Sequence, residues 1–148
     1  MHPTALAILL TAPLLMTAGA TPPAPAAGKE PDHITIQHVL IGFKGSVPGK
    51  NITRTQEEAK KLAEEILARA KKGESFDDLV KQYTDDAAPG IYSMSNKGVA
   101  PSDGEYPRER MVAAFGDAGF PLQVGEFGMA SYDKVKSPYG WHIVKRLK

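Results

Sequence analysis

The stretch ITIQHVLIGF, residues 34–43, decides how the rest of the chain is read. Its side chains alternate as a strand requires: Ile34, Ile36, His38 and Leu40 share one face, while Val39, Ile41 and Phe43 fall on the other. A strand that is apolar on both faces over its second half belongs inside a sheet, not at its edge. Gly42, Gly45, Pro48 and Gly49 then end it in a loop. The chain closes on SPYGWHIVKRLK, residues 137–148, where a second apolar run begins at Trp141. If the first and last strands pair, His38 and His142 become neighbours, and one imidazole can fix the tautomer of the other through a nitrogen-to-nitrogen hydrogen bond. A lone histidine in such a strand is more often a hydrogen-bonded core residue.

Between these ends the pattern is helical first. Thr55 and Glu58 form a capping box, and Ala59, Leu62, Ala63, Ile66, Leu67 and Ala70 recur on one face until Gly73. Ser75 caps a shorter helix with Phe76, Leu79, Val80 and Tyr83 as its stripe. A short strand at IYSM and a long polar loop, NKGVAPSDGEYP, follow. Pro107 can open a third helical stretch carrying Met111, Ala114, Phe115 and Ala118, and two strands are expected over residues 126–132 and 141–147. This order specifies an α+β fold, with helices packed around a small sheet.

Composition narrows the function. With 148 residues the chain suits one domain. Its net charge of +1 gives no bulk attraction to nucleic acid. The absence of cysteine removes disulfides, thiolate nucleophiles and zinc–cysteine frameworks. ALAILLTAPLLM, from Ala5 to Met16, is too short to span a bilayer and matches the apolar core of an export signal, with AGA at Ala18 to Ala20 as the cleavage site. The expected organisation is therefore a signal peptide over 1–20, a Pro/Ala-rich linker over 21–33 and a folded domain over 34–148, periplasmic or extracellular and not inserted in the membrane after signal removal.

Three other chemistries lack their motifs. GSVPGKN, residues 45–51, is one residue short of a phosphate loop and carries Asn51 where Ser or Thr would hold magnesium. The nearby Lys44, Lys50 and Arg54 read as a solvated edge. A metal held by His38, His142 and Asp85 or Asp86 lacks any compact ligand spacing, and no G-x-S-x-G elbow marks a serine hydrolase.

Four segments in order, IQHVLIGF, SFDDLVKQYTDD, FGDAGFPLQVGEFG and VKSPYGWHIVKRL, resemble the parvulin family of peptidyl-prolyl cis–trans isomerases over residues 34–148. The resemblance implies a four-stranded, mainly antiparallel sheet surrounded by about four helices, and a cofactor-free, metal-free monomer acting on proline-containing polypeptides. It also implies the site. His38 and His142 match the paired active-site histidines, and Asp86 falls where the family carries Cys or Asp beside the reacting carbonyl. Ser137 matches a hydroxyl that bonds into the histidine pair. Met111 and Phe115, four apart and so on one helical face, match the apolar seat for the proline ring. APGIYSMSNKG replaces the usual Gly-Gly-Asp-Leu-Gly stretch, and the link from Gly125 to His142 is longer than usual. These departures keep open a second reading, a peptide-holding chaperone of the same fold with little catalysis.

Overall fold

The computed structural model describes residues 28–148, so the expected signal peptide and most of the linker lie outside the described residues. Among the described residues the elements run in the order β1 (His33–Ile41), α1 (Gln56–Lys71), α2 (Phe76–Tyr83), β2 (Ile91–Ser95), β3 (Tyr106–Pro107), a 3₁₀ turn (Arg108–Arg110), α3 (Ala113–Gly119), β4 (Phe127–Ala130) and β5 (Trp141–Arg146). The five strands form one sheet ordered β3-β2-β1-β5-β4. All neighbours are antiparallel except β2 and β3. The α+β class matches the expectation, with one more strand and one fewer α-helix. The additional strand, β3, is two residues long and contains a proline, so no alternation announces it.

β1 lies at the centre because it is apolar on both faces, and each face has its own core. Val39 and Ile41, with Trp141 and Ile143 of β5, pack against Ala59, Ala63 and Ile66 of α1 and Leu79 and Val80 of α2. Ile34 and Ile36, with Val144 and Met94, pack on the opposite side against Phe115 and Phe120. The capping box at Thr55 and Glu58 is formed in both directions. Small alanines on the buried side of α1 let the helix lie close to the strands.

Where β5 starts, Gly140 (φ 141°) passes so close to β1 that a Cβ there would stand 2.1 Å from the Ile41 carbonyl oxygen. That contact accounts for glycine immediately before Trp141 and His142.

The third helical stretch differs from the expectation. Arg108–Arg110 make one 3₁₀ turn, Met111 is extended (φ −91°, ψ 165°), and α3 starts only at Ala113. Met111 and Phe115 therefore do not share a helical face. The reason is tertiary. Arg108 is buried and held by Glu30 (2.7 Å), Asn96 (2.8 Å) and Asp117 (3.2 Å), while the Ala114 amide donates to the Lys136 carbonyl (3.1 Å) in place of a carbonyl one turn back. The Asn96 amide also donates to the Asp32 carbonyl (2.8 Å). Packing thus reaches upstream of the expected start at residue 34.

Candidate active site

β1 and β5 bring the two histidines together. The antiparallel register pairs His38 with Val144 and Leu40 with His142. His38 and His142 are thus diagonal neighbours on one face, where cross-strand side chains reach each other. Both rings are buried, and their Nδ1 atoms lie 3.2 Å apart. On the other side of His38, Nε2 lies 3.1 Å from Asp86 Oδ2, a close electrostatic contact that falls short of an aligned hydrogen bond.

Asp86 is aimed by a loop fastened to β1. The Leu40 amide donates to the Thr84 hydroxyl (3.1 Å), the Asp85 amide donates to the Leu40 carbonyl (2.9 Å), and the Thr84 hydroxyl donates to Asp86 Oδ1 (2.5 Å). Asp85 itself accepts from the Gly42 amide and pairs with Arg54, so both are spent on holding the loop. Gly90 (φ 63°) completes the arrangement, for a Cβ there would press 2.7 Å from the His38 carbonyl oxygen.

Burial and neighbouring groups shift two members of this line. Burial, and then the neighbouring His38, push the His142 pKa down to about 3, against a smaller opposing pull from Asp86. Burial raises the Asp86 carboxyl, but the contacts with His38 and Thr84 and the influence of His142 outweigh it and leave the group below its ordinary value. At neutral pH Asp86 is a carboxylate and His142 a neutral ring. A neutral His38 presenting a bare Nε2 to that carboxylate would be repelled. With both rings neutral, His142 Nδ1–H donates to His38 Nδ1 and His38 Nε2–H faces Asp86.

Beside this polar line lies a cavity of about 380 Å³, bordered by Leu40, Tyr92, Met111, Phe115 and Tyr139 as well as Asp86 and His142. Phe115 stands edge-on to both imidazoles, with centroids 4.6 Å from His38 and 4.7 Å from His142. Met111 reaches the cavity from the extended break before α3, not from a shared helix face. The Ser46 hydroxyl donates to the Tyr139 carbonyl (2.8 Å), tying the β1–α1 loop to the β4–β5 loop at the cavity's edge.

Of the six expected site residues, five converge on this cavity and its polar floor. Ser137 is the exception. It is buried, but its hydroxyl donates to the Gly140 carbonyl (2.7 Å), not to an imidazole. With Asp133 it orders the β4–β5 turn, through the Ser137 amide and the Asp133 carbonyl (3.0 Å). His142 Nε2 has no hydrogen-bond partner among the described residues. Sequence reasoning missed Tyr92. The signal was the strand alternation itself, since β2 pairs Tyr92 with Ile36 and Met94 with Ile34, placing both on the site face.

A family description, the PPIC-type PPIASE domain, matches residues 26–148. The chain belongs to the parvulin family. The parvulin match starts upstream of residue 34, in keeping with the packing of Glu30 and Asp32. Foldase protein PrsA of Bacillus subtilis (strain 168) is 37% identical over 115 residues, covering 76% of this chain and 34% of that protein. The Drosophila melanogaster protein dodo, whose name places it among the peptidyl-prolyl cis-trans isomerases, is 36% identical over 126 residues, covering 80% of this chain and 68% of its own. The solution structure of TbPIN1 superposes with a TM-score of 0.59 at 24% identity, covering 79% of this chain and 98% of that one, a likeness of fold. This parvulin chain thus spans about a third of the length of the PrsA protein it matches.

Proposed function

We propose that the chain is a peptidyl-prolyl cis–trans isomerase acting on flexible polypeptides outside the cytoplasm. One observation carries the reading: a mainly apolar cavity with room for a pyrrolidine ring abuts a buried histidine pair and a carboxylate, in a chain of the parvulin family. Membership of that family and the isomerase and foldase names of its relatives support the activity. The export-like residues 5–20 support the location.

The chemistry asks for little. Rotation of the prolyl bond faces a barrier of ~18–20 kcal/mol set by amide resonance. A roughly ten-thousandfold acceleration needs only about 5.5 kcal/mol of preferential binding to the twisted amide. Twisting removes resonance, so the carbonyl oxygen loses negative charge and the nitrogen gains a lone pair. The Asp86 carboxylate beside the substrate carbonyl repels the charge of the planar form more than that of the twisted form. Met111 and Phe115 hold the ring while the preceding residue turns, in surroundings that disfavour the more polar planar amide. The histidines bear on the reaction through Asp86, whose orientation and charge they hold, and no covalent step is required.

The test is turnover of a proline tetrapeptide, by protease coupling or exchange NMR, in Asp86→Ala and Phe115→Leu, with circular dichroism to verify the fold. Loss of catalysis by about tenfold or more in folded variants is expected. Wild-type-like turnover in both would refute the assignment.

A further inference from the structure

Arg108 does not line the cavity, but the chain that leaves it does, through Arg110, Met111, Val112 and Phe115. Its guanidinium is buried, and its acceptors come from separate stretches of chain: Glu30 of the lead-in (2.7 Å), Asn96 just after β2 (2.8 Å) and Asp117 of α3 (3.2 Å). Space for it depends on Gly116, where a Cβ would stand 2.3 Å from Arg108 Nε. Glu30 is fastened in turn, since the Asn96 side-chain amide donates to its carboxylate (3.3 Å) and to the Pro31 carbonyl (3.0 Å). Apolar residues of similar volume often stabilise a fold as well as a buried ion pair does. What the rigid fork of an arginine supplies is direction. Acceptors on several sides leave the Arg108 side chain one satisfied orientation, and the Met111 amide donates to the Arg108 carbonyl (3.2 Å). The extended residue that enters the cavity is thus hung from a fixed turn.

We propose that Arg108 is a positioning residue for the isomerase site, and that Glu30 of the lead-in, by holding Arg108, keeps Met111 aimed into the cavity. The inference rests on the isomerase reading and adds the lead-in to its working parts. The Glu30 side chain is 38% exposed, so its ion pair with Arg108 contributes little to overall stability. Its effect falls on geometry instead. When Glu30 lets go, the guanidinium loses one of its anchors, the turn over Arg108–Arg110 is free to shift, and Met111 leaves the seat for part of the time. Substrate binding then weakens in proportion to the time lost, while rotation within the complexes that do form is unaltered. The lead-in therefore connects whatever happens upstream of residue 30 to the wall of the proline seat.

The experiment measures KM and kcat for a proline tetrapeptide in the full chain and in Glu30→Ala, Glu30→Gln and Thr55→Ala, at a temperature where circular dichroism shows all four folded. Glu30→Ala should raise KM about three- to tenfold and leave kcat within about twofold of wild type. Glu30→Gln keeps an oxygen that accepts from Arg108, and its KM should stay close to wild type. Thr55→Ala weakens the fold at a helix cap away from the cavity, so its KM should not move. A wild-type KM in Glu30→Ala, or an equal rise in Thr55→Ala, would overturn the proposal. So would a Glu30→Gln variant no better than Glu30→Ala, which would assign the effect to lost charge. Failure of the wild-type chain to catalyse any peptide would instead overturn the isomerase reading. In that event the Met111 methyl signal, followed by NMR, still decides the coupling: it should shift in Glu30→Ala and not in Thr55→Ala, and an unmoved signal in Glu30→Ala counts against it.

Discussion

His142 shows how a single buried ring couples the site to solvent pH. Its ordinary value is 6.5, and burial lowers it in the folded chain to about 3. Below pH 6.5 an unfolded chain takes up a proton that the folded chain refuses. The stability from the neutral ring is therefore fully present above that pH and declines as pH falls towards 3. Asp86 acts in the same direction at lower pH, since its depressed pKa favours the folded state above its ordinary value of 3.8 and ceases to do so as pH falls through the folded one. Urea unfolding at pH 7 and pH 5 should differ by about 2 kcal/mol on account of His142, and His142→Gln should remove most of the difference. A second expectation concerns Thr84, which receives the Leu40 amide and donates to Asp86. Thr84→Val removes a contact that lowers the Asp86 pKa, so the acid limb of the kcat/KM profile should move to higher pH, with several-fold lower turnover and recovery in Thr84→Ser. An unmoved acid limb would mean that Thr84 only holds the loop.

Among the elements, α1 is the one most completely written in its own sequence. The Thr55 hydroxyl accepts from the Glu58 amide (3.1 Å), and the Glu58 carboxylate accepts from the Thr55 amide (2.7 Å). Thr55→Ala should cost about 1 kcal/mol in denaturant unfolding. Because α1 packs on the sheet face opposite the cavity, kcat/KM should not change. α3 teaches the opposite lesson. The apolar spacing of Met111 and Phe115 suits a continuous helix, yet the chain breaks between them because Arg108 is pinned by residues far away in sequence and Lys136 supplies the carbonyl for Ala114. Periodicity records which residues are buried. It does not record which distant group will compete for a backbone amide.

At the scale of the whole molecule, the ends of the described chain are part of its integrity. Glu30 pairs with the buried Arg108, and the Pro31 and Asp32 carbonyls accept from Asn96. Arg108 also lies over the Phe120 ring, 4.5 Å from its centroid, so the lead-in reaches the core beneath α3. Deleting residues 1–32 should give a melting temperature several degrees below that of a chain lacking only residues 1–27, since about 1 kcal/mol moves Tm by roughly 2–8 °C in a domain of this size. Equal melting temperatures for the two would show these contacts to be dispensable.

What the sequence determined by itself was local and chemical. Alternation about His38, the Thr55 cap and the stripes of α1 and α2 specified elements and faces, because side-chain direction and hydrogen-bond satisfaction repeat over a few residues. It also supplied the reacting groups, and resemblance to a family supplied their roles. Only the tertiary structure decided that His38 and His142 meet on a diagonal, that Asp86 turns towards His38, that Ser137 serves a turn, and that Tyr92 lines the cavity. Those are matters of register and loop path, fixed by contacts between residues tens of positions apart, and no local period carries them.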